Sequence, residues 1–206
     1  IGILGCDHVH VFSYINALRR LPGRVEIVGL YHADEIQGRE YAGEIPGARY
    51  YGEYAELIDR DLDGVVICSA NALHREHVTA ACGKVPSILC EKPLATAADD
   101  ARAMIDAARE KGSRLMVAYP CRYSPAAVRA KNRIRNGDIG AVVAVCATNH
   151  GTMPGGWFAD PARSGGGAAM DHIVHVADLW RWIAGFEVSA VYAEMSTRLH
   201  DIPVED

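Results

Sequence analysis

Short apolar runs alternate with segments of helical period through residues 1–119, and this alternation constrains the fold more than any single motif. Residues 1–5 (IGILG), 24–31 (RVEIVGLY), 63–69 (DGVVICS), 87–90 (SILC) and 115–118 (LMVA) read as strands. Between them, Val11, Tyr14, Ile15 and Leu18 recur at helical spacing, and helices are predicted over 34–42, 54–58 and 73–82. A further helix is predicted behind Thr96 as its cap, with Asp99 and Asp100 in the first turn and Gly112 past its end. Strands and helices alternating at this spacing make βαβ units, hence a parallel sheet covered on both faces. Residues 1–119 therefore read as a doubly wound α/β domain of Rossmann type.

After residue 119 the pattern changes. A helix is predicted over 125–136, ending at Gly137, followed by a strand-like run at 141–149 (AVVAVCATN). A Gly/Pro-rich stretch at 151–167 leads into a helix over 168–184 and a strand over 188–196. Residues 120–206 thus resemble the start of an α+β domain with too little sheet to be complete. The chain opens at Ile1, already inside an apolar run, so a preceding segment is expected as well.

A net charge of -5 argues against a nucleic-acid partner, whose phosphates require a basic face. Charges of both signs are interspersed, and no apolar run approaches a membrane span. The six cysteines contain no C-x-x-C pair. Cys68, Cys90 and Cys146, in or beside apolar runs, are expected to be buried thiols in a reducing, cytoplasmic compartment.

Ligands of open α/β sheets bind outside the carboxyl ends of the strands. Ser87-Ile88-Leu89-Cys90-Glu91-Lys92-Pro93 delivers a carboxylate and an ammonium to such an end. The turn after the first strand, Gly5-Cys6-Asp7-His8-Val9-His10, keeps only the first glycine of the dinucleotide fingerprint. Asp7 stands where phosphate would approach, or serves as a helix cap. His32 occupies the place of the acid that holds the adenosine ribose, which leaves the choice between NAD and NADP open. Ser69-Ala70-Asn71-Ala72-Leu73-His74 follows another strand end, where Asn71 and His74 either line a cleft or cap a helix. In the helix 168–184, Asp171, His175 and Asp178 fall on one face, with His172 a step round. That face combines an acid, an imidazole and a carboxylate able to orient it. Asp171, His172 and His175 lack a clear further ligand, so no metal is expected there.

Taken in order, the strand-turn at Gly5, Ser69-Ala-Asn-x-x-His74, Glu91-Lys-Pro, Tyr119-x-x-Arg122-Tyr-x-Pro, Trp157-x-x-Asp, Gly165-Gly-Gly and Asp171-x-x-x-His175-x-x-Asp178 resemble the Gfo/Idh/MocA oxidoreductases. The resemblance implies a Rossmann domain followed by a domain with an open, mainly antiparallel sheet that supports homo-oligomers. It implies Lys92 as the lysine that meets substrate and nicotinamide, aimed by a cis peptide at Pro93, with Asp171 and His175 as catalytic partners. The cofactor set would be Gly5, Asp7, His8, Val9, His32, Ser69, Asn71, His74, Glu91 and Lys92. Substrate would meet Lys92, Arg122, Trp157, Asp171, His172 and His175.

The expected reaction is hydride transfer between NAD or NADP, with NAD favoured, and a hydroxyl-bearing carbon of a sugar, cyclitol or related polyol. His175, oriented by Asp178, would be the base and Lys92 would stabilise the developing oxyanion. Lys92 is the alternative base. The reading from another class is a non-catalytic NAD(P)- or sugar-sensing protein on the same fold, which the eroded glycine motif favours.

Overall fold

The computed structural model describes residues 1–206, and the chain divides into two compact units, Ile1–Ala118 and Tyr119–Asp206. In the first, six strands run as β1 (Gly2–Leu4), β2 (Gly29–Tyr31), β3 (Arg49–Tyr51), β4 (Val65–Ile67), β5 (Ser87–Cys90) and β6 (Arg114–Val117). They form one sheet in the order β3-β2-β1-β4-β5-β6, and every pair is parallel. The order reverses at β1, which is the switch point where doubly wound sheets open a ligand crevice. Helices α1 (Val11–Arg19), α2 (Glu35–Gly43), α3 (Tyr54–Ile58), α4 (His74–Ala81) and α5 (Ala98–Glu110) make the crossovers.

Strand side chains alternate between faces, and the core divides accordingly. Leu4, Val65, Ile67 and Ile88 pack on one side with Leu57, Val78 and Met104. Ile3, Leu30 and Val66 pack on the other with Val11, Ile15 and Ile45. Short apolar runs buried on both faces are what a parallel sheet requires.

Three local expectations change. β3 was not anticipated, because Arg-Tyr-Tyr is polar and only partly buried at the sheet edge beside β2. Asp7 does not cap α1; the N-cap is His10, without a side-chain bond. Nor does Thr96 cap α5, whose N-cap is Ala97.

The second unit contains α6 (Pro125–Arg135), capped by Ser124 accepting from the Ala127 N–H, a short α7 (Pro161–Ser164), and α8 (Val174–Ala184). The Lys131 ammonium lies 3.8 Å over the Trp182 ring, tying α6 to α8. The helix predicted over 168–184 is interrupted: Ala169–Ile173 is a π turn that precedes α8. The runs 141–149 and 188–196 are not strands and stand open, with Val143 94% and Tyr192 86% exposed. Cys146, expected to be buried, is exposed with its run. A strand needs a neighbouring ladder, and β propensity without one leaves the backbone unpaired. No helix is long and apolar enough to cross a membrane.

Candidate active site

In the first unit, β5 carries Glu91 and Lys92 to the carboxyl edge of the sheet, the Glu91 N–H extending the ladder to the Ile67 carbonyl at 2.9 Å. A solvated polar turn is ruled out, because the two residues are only 1% and 2% exposed. Burial of a carboxylate is costly unless it is bonded, and Glu91 is bonded on both oxygens. Oε2 accepts the Lys92 N–H at 2.8 Å, while Oε1 accepts the Tyr14 hydroxyl and lies 3.0 Å from His10 Nδ1. Burial alone would raise the Glu91 carboxyl. Bonding from His10, the charge of His8 and the Tyr14 hydroxyl outweigh it and hold the group at about 2. The Tyr14 phenol is pushed up by burial and by Glu91. Glu91 is therefore an anion that fixes the backbone of Lys92.

The peptide between Lys92 and Pro93 is cis. Behind it, His74 is fully buried, its Nδ1 2.8 Å from the Pro93 carbonyl and its Nε2 3.1 Å from the Ser69 carbonyl. His74 thus bridges the ends of β4 and β5, and neither Asn71 nor His74 is a helix N-cap, those positions being Ala70 and Leu73. Burial lowers the His74 pKa, and that of His77 to about 4. His77 Nδ1 meets the Ser69 hydroxyl at 2.9 Å. Asn71 is buried in the turn between these strands and α4.

At β1 the turn passes close to β4. Gly5 has φ +75, and a Cβ there would lie 2.5 Å from the Ser69 Cα, so no other residue fits. The Cys6 N–H donates to His32 Nδ1 at 3.3 Å, and the His8 N–H to the Cys68 carbonyl at 2.9 Å. His32, expected at the ribose, is 5% exposed and faces Gln37 at 3.3 Å and Asp7 at 3.9 Å. It braces the turn. Val9 is exposed on it.

The second unit holds the other expected groups. Asp178 does not orient His175: its carboxylate takes both Nε and an Nη of Arg122, the Nε at 2.8 Å. His175 Nδ1 faces the Cys121 thiol at 3.9 Å. Asp171 and His172 are half-buried, 3.6 Å apart, on the π turn. Trp157 stacks on Phe158 with ring centroids 3.9 Å apart. Lys92 lies in one unit, and Arg122, Trp157, Asp171, His172 and His175 in the other. The partners that sequence reasoning missed are Tyr14 and His10 for Glu91, and Cys121 for His175. The spacing of His10 and Tyr14, four apart at the start of α1, was the available signal.

Residues 1–119 match the model of the GFO/IDH/MocA oxidoreductase family, NAD-binding Rossmann fold, and residues 127–206 match the GFO/IDH/MocA C-terminal domain. The chain belongs to the Gfo/Idh/MocA oxidoreductase family. Among curated members it is similar to a levoglucosan dehydrogenase of Pseudarthrobacter phenanthrenivorans, 36% identical over 71% of this chain and 39% of that protein. It is 32% identical to inositol 2-dehydrogenase 3 of Saccharopolyspora erythraea, over 91% of this chain and 52% of the relative. The solved aldose-aldose oxidoreductase of Caulobacter crescentus, complexed with glycerol, is 26% identical with a TM-score of 0.83, covering 100% of this chain and 64% of that one. The chain spans about half the length of the curated relatives it matches.

Proposed function

We propose that this chain is part of an NAD(P)-dependent oxidoreductase that moves a hydride between the nicotinamide and a hydroxyl-bearing carbon of a sugar, cyclitol or related polyol. The observation that carries this reading is Lys92, buried at the carboxyl edge of a Gfo/Idh/MocA Rossmann sheet and fixed through Glu91. The names of the levoglucosan and inositol dehydrogenases support the substrate class.

The crevice fits a dinucleotide at the β1 switch point, where Gly5 lets the turn approach β4 closely. Gly5, Asp7, His8 and Val9 would hold its phosphates, and Ser69, Asn71, His74, Glu91 and Lys92 its nicotinamide end. His32 would act by holding the turn. When bound, the nicotinamide supplies the acceptor or donor of the hydride.

In the oxidative direction the carbinol C–H bond breaks with its electron pair leaving as hydride, and the hydroxyl proton passes to His175. Lys92 stabilises the developing alkoxide by its charge, and Asp171 holds a substrate hydroxyl. Asp178 is committed to Arg122 and would act by holding that guanidinium. The C-terminal domain match supports placing the exposed runs 141–149 and 188–196 in an open antiparallel sheet of a longer protein, where homo-oligomers form. A cytoplasmic location rests on the unpaired thiols.

The test is a titration with NADH and NADPH followed by nicotinamide fluorescence, then turnover over a polyol panel. Saturable binding is expected, and Lys92→Ala and His175→Ala should each lower kcat roughly a hundredfold or more. A folded protein that binds neither dinucleotide, or variants that turn over at the parental rate, would overturn the reading.

A further inference from the structure

The β1 turn carries two histidines, His8 and His10. One of them, His10, stands where the dinucleotide fingerprint would carry its third glycine. In the folded first unit they converge on Glu91: one ligand atom each from His8, His10 and Glu91 lies within 4.8 Å of the others. The His8 and His10 rings are 4.4 Å apart, centroid to centroid. His8 and Glu91 are buried, while the His10 side chain is 39% exposed, so the cluster is walled on the inside and open through His10.

We infer that His8, His10 and Glu91 bind a divalent transition-metal ion of borderline softness, such as Zn²⁺ or Co²⁺, at the mouth of the Rossmann crevice. A tetrahedral ion with bonds of about 2.0–2.1 Å holds its donor atoms roughly 3.3 Å apart. His10 Nδ1 and Glu91 Oε1 are already at 3.0 Å, and a His8 ring nitrogen lies within 4.8 Å of both, so binding requires His8 to move towards them. Binding would require His10 Nδ1 to be deprotonated, so uptake of the ion would release a proton. The donor set is two imidazoles and one carboxylate, which suits Zn²⁺, Co²⁺ or Ni²⁺ and is wrong for Ca²⁺ or Mg²⁺, which require oxygen cages.

The outer shell is also in place. The Tyr14 hydroxyl donates to Glu91 Oε1 and the Lys92 N–H donates to Oε2, so the carboxylate is oriented before any ion arrives. Three protein ligands leave one position open to solvent or to an anionic ligand. The helix N-terminus behind His10 opposes a cation modestly, but the buried anionic Glu91 outweighs it. Because Glu91 lies 81 residues from His10, no ligand spacing announces the site in the sequence.

The inference goes beyond the hydride-transfer reading and is tested without nicotinamide or polyol. The whole chain, stripped by a chelator, is titrated with Co²⁺ and its visible d–d absorption recorded, with calorimetry for the stoichiometry and Zn²⁺ as the displacing ion. One ion per chain is expected. His10→Ala, at a half-exposed position, should abolish the bands while leaving the far-ultraviolet circular dichroism unchanged. Tyr14→Phe, which keeps every ligand, should weaken binding by roughly ten- to a hundredfold, the usual effect of losing an outer-shell partner. No saturable uptake by the parent chain, or undiminished uptake by His10→Ala, would overturn the site.

Discussion

Acid should destabilise the first unit through His77. His77 is 2% exposed, with Nδ1 on the Ser69 hydroxyl and its ring against Tyr31 and Tyr54 at 5.8 and 5.0 Å between centroids. Burial, helped by His74, holds its pKa at about 4 against the pull of Glu76, whereas the unfolded chain has the ordinary 6.5. Between those values the unfolded state binds the extra proton, so stability falls as the pH falls from about 6.5 to about 4. The full difference corresponds to about 3 kcal/mol, a large fraction of a domain's stability. His74, lowered in the same direction by burial, adds to the fall.

The assay is urea unfolding across that pH window, read by hydrogen exchange of α4 peptides so that the first unit alone is followed. His77→Phe leaves the Ser69 hydroxyl without its imidazole partner. It should cost about 1 kcal/mol at neutral pH, yet lose stability with acid more gently than the parent. Parallel pH dependences for parent and variant would refute the reasoning.

Arg122→Ala should lower the melting temperature of the second unit, read by its tryptophans, with a cost of about 2 kcal/mol, because Asp178 is left charged and buried. Arg181→Ala, which breaks an exposed pair with Glu187, should shift the melting temperature much less, and equal losses would sink the distinction. Gly5→Ala should destabilise the first unit by about 1–3 kcal/mol in denaturant, since φ is +75 and Ser69 blocks the Cβ. His32→Asp would place a carboxylate close to Asp7 and withdraw the imidazole acceptor of the Cys6 N–H. A drop of about 2 kcal/mol is expected, and a fully stable variant with switched cofactor preference would instead put residue 32 at the ribose.

The doubly wound sheet was legible because its signal is local. Ile3, Leu30, Val66 and Ile88 sit in short apolar runs bounded by turns, and those runs became β1, β2, β4 and β5. Glu91-Lys92-Pro93 was legible for the same reason, as a strand followed by polar residues at a carboxyl end. β3 escaped because an edge strand buries little and so needs no apolar pattern. The π turn at Ala169–Ile173 escaped because α periodicity was extended through it. Asp178 was assigned to His175 by helix spacing, but Arg122, 56 residues earlier in the chain, took it.

Hydrophobic period, turn chemistry and the order of motifs are properties of neighbouring residues, and they settled the fold class, the family resemblance and the position of Lys92. Which polar groups meet was decided only when β1, β4 and β5 lay side by side. That arrangement brought His10 and Tyr14 to Glu91 across 81 and 77 residues, and His74 to Pro93 across 19. A buried charge must find partners wherever the sheet order places them. A run such as 141–149 becomes a strand only where another strand completes its ladder.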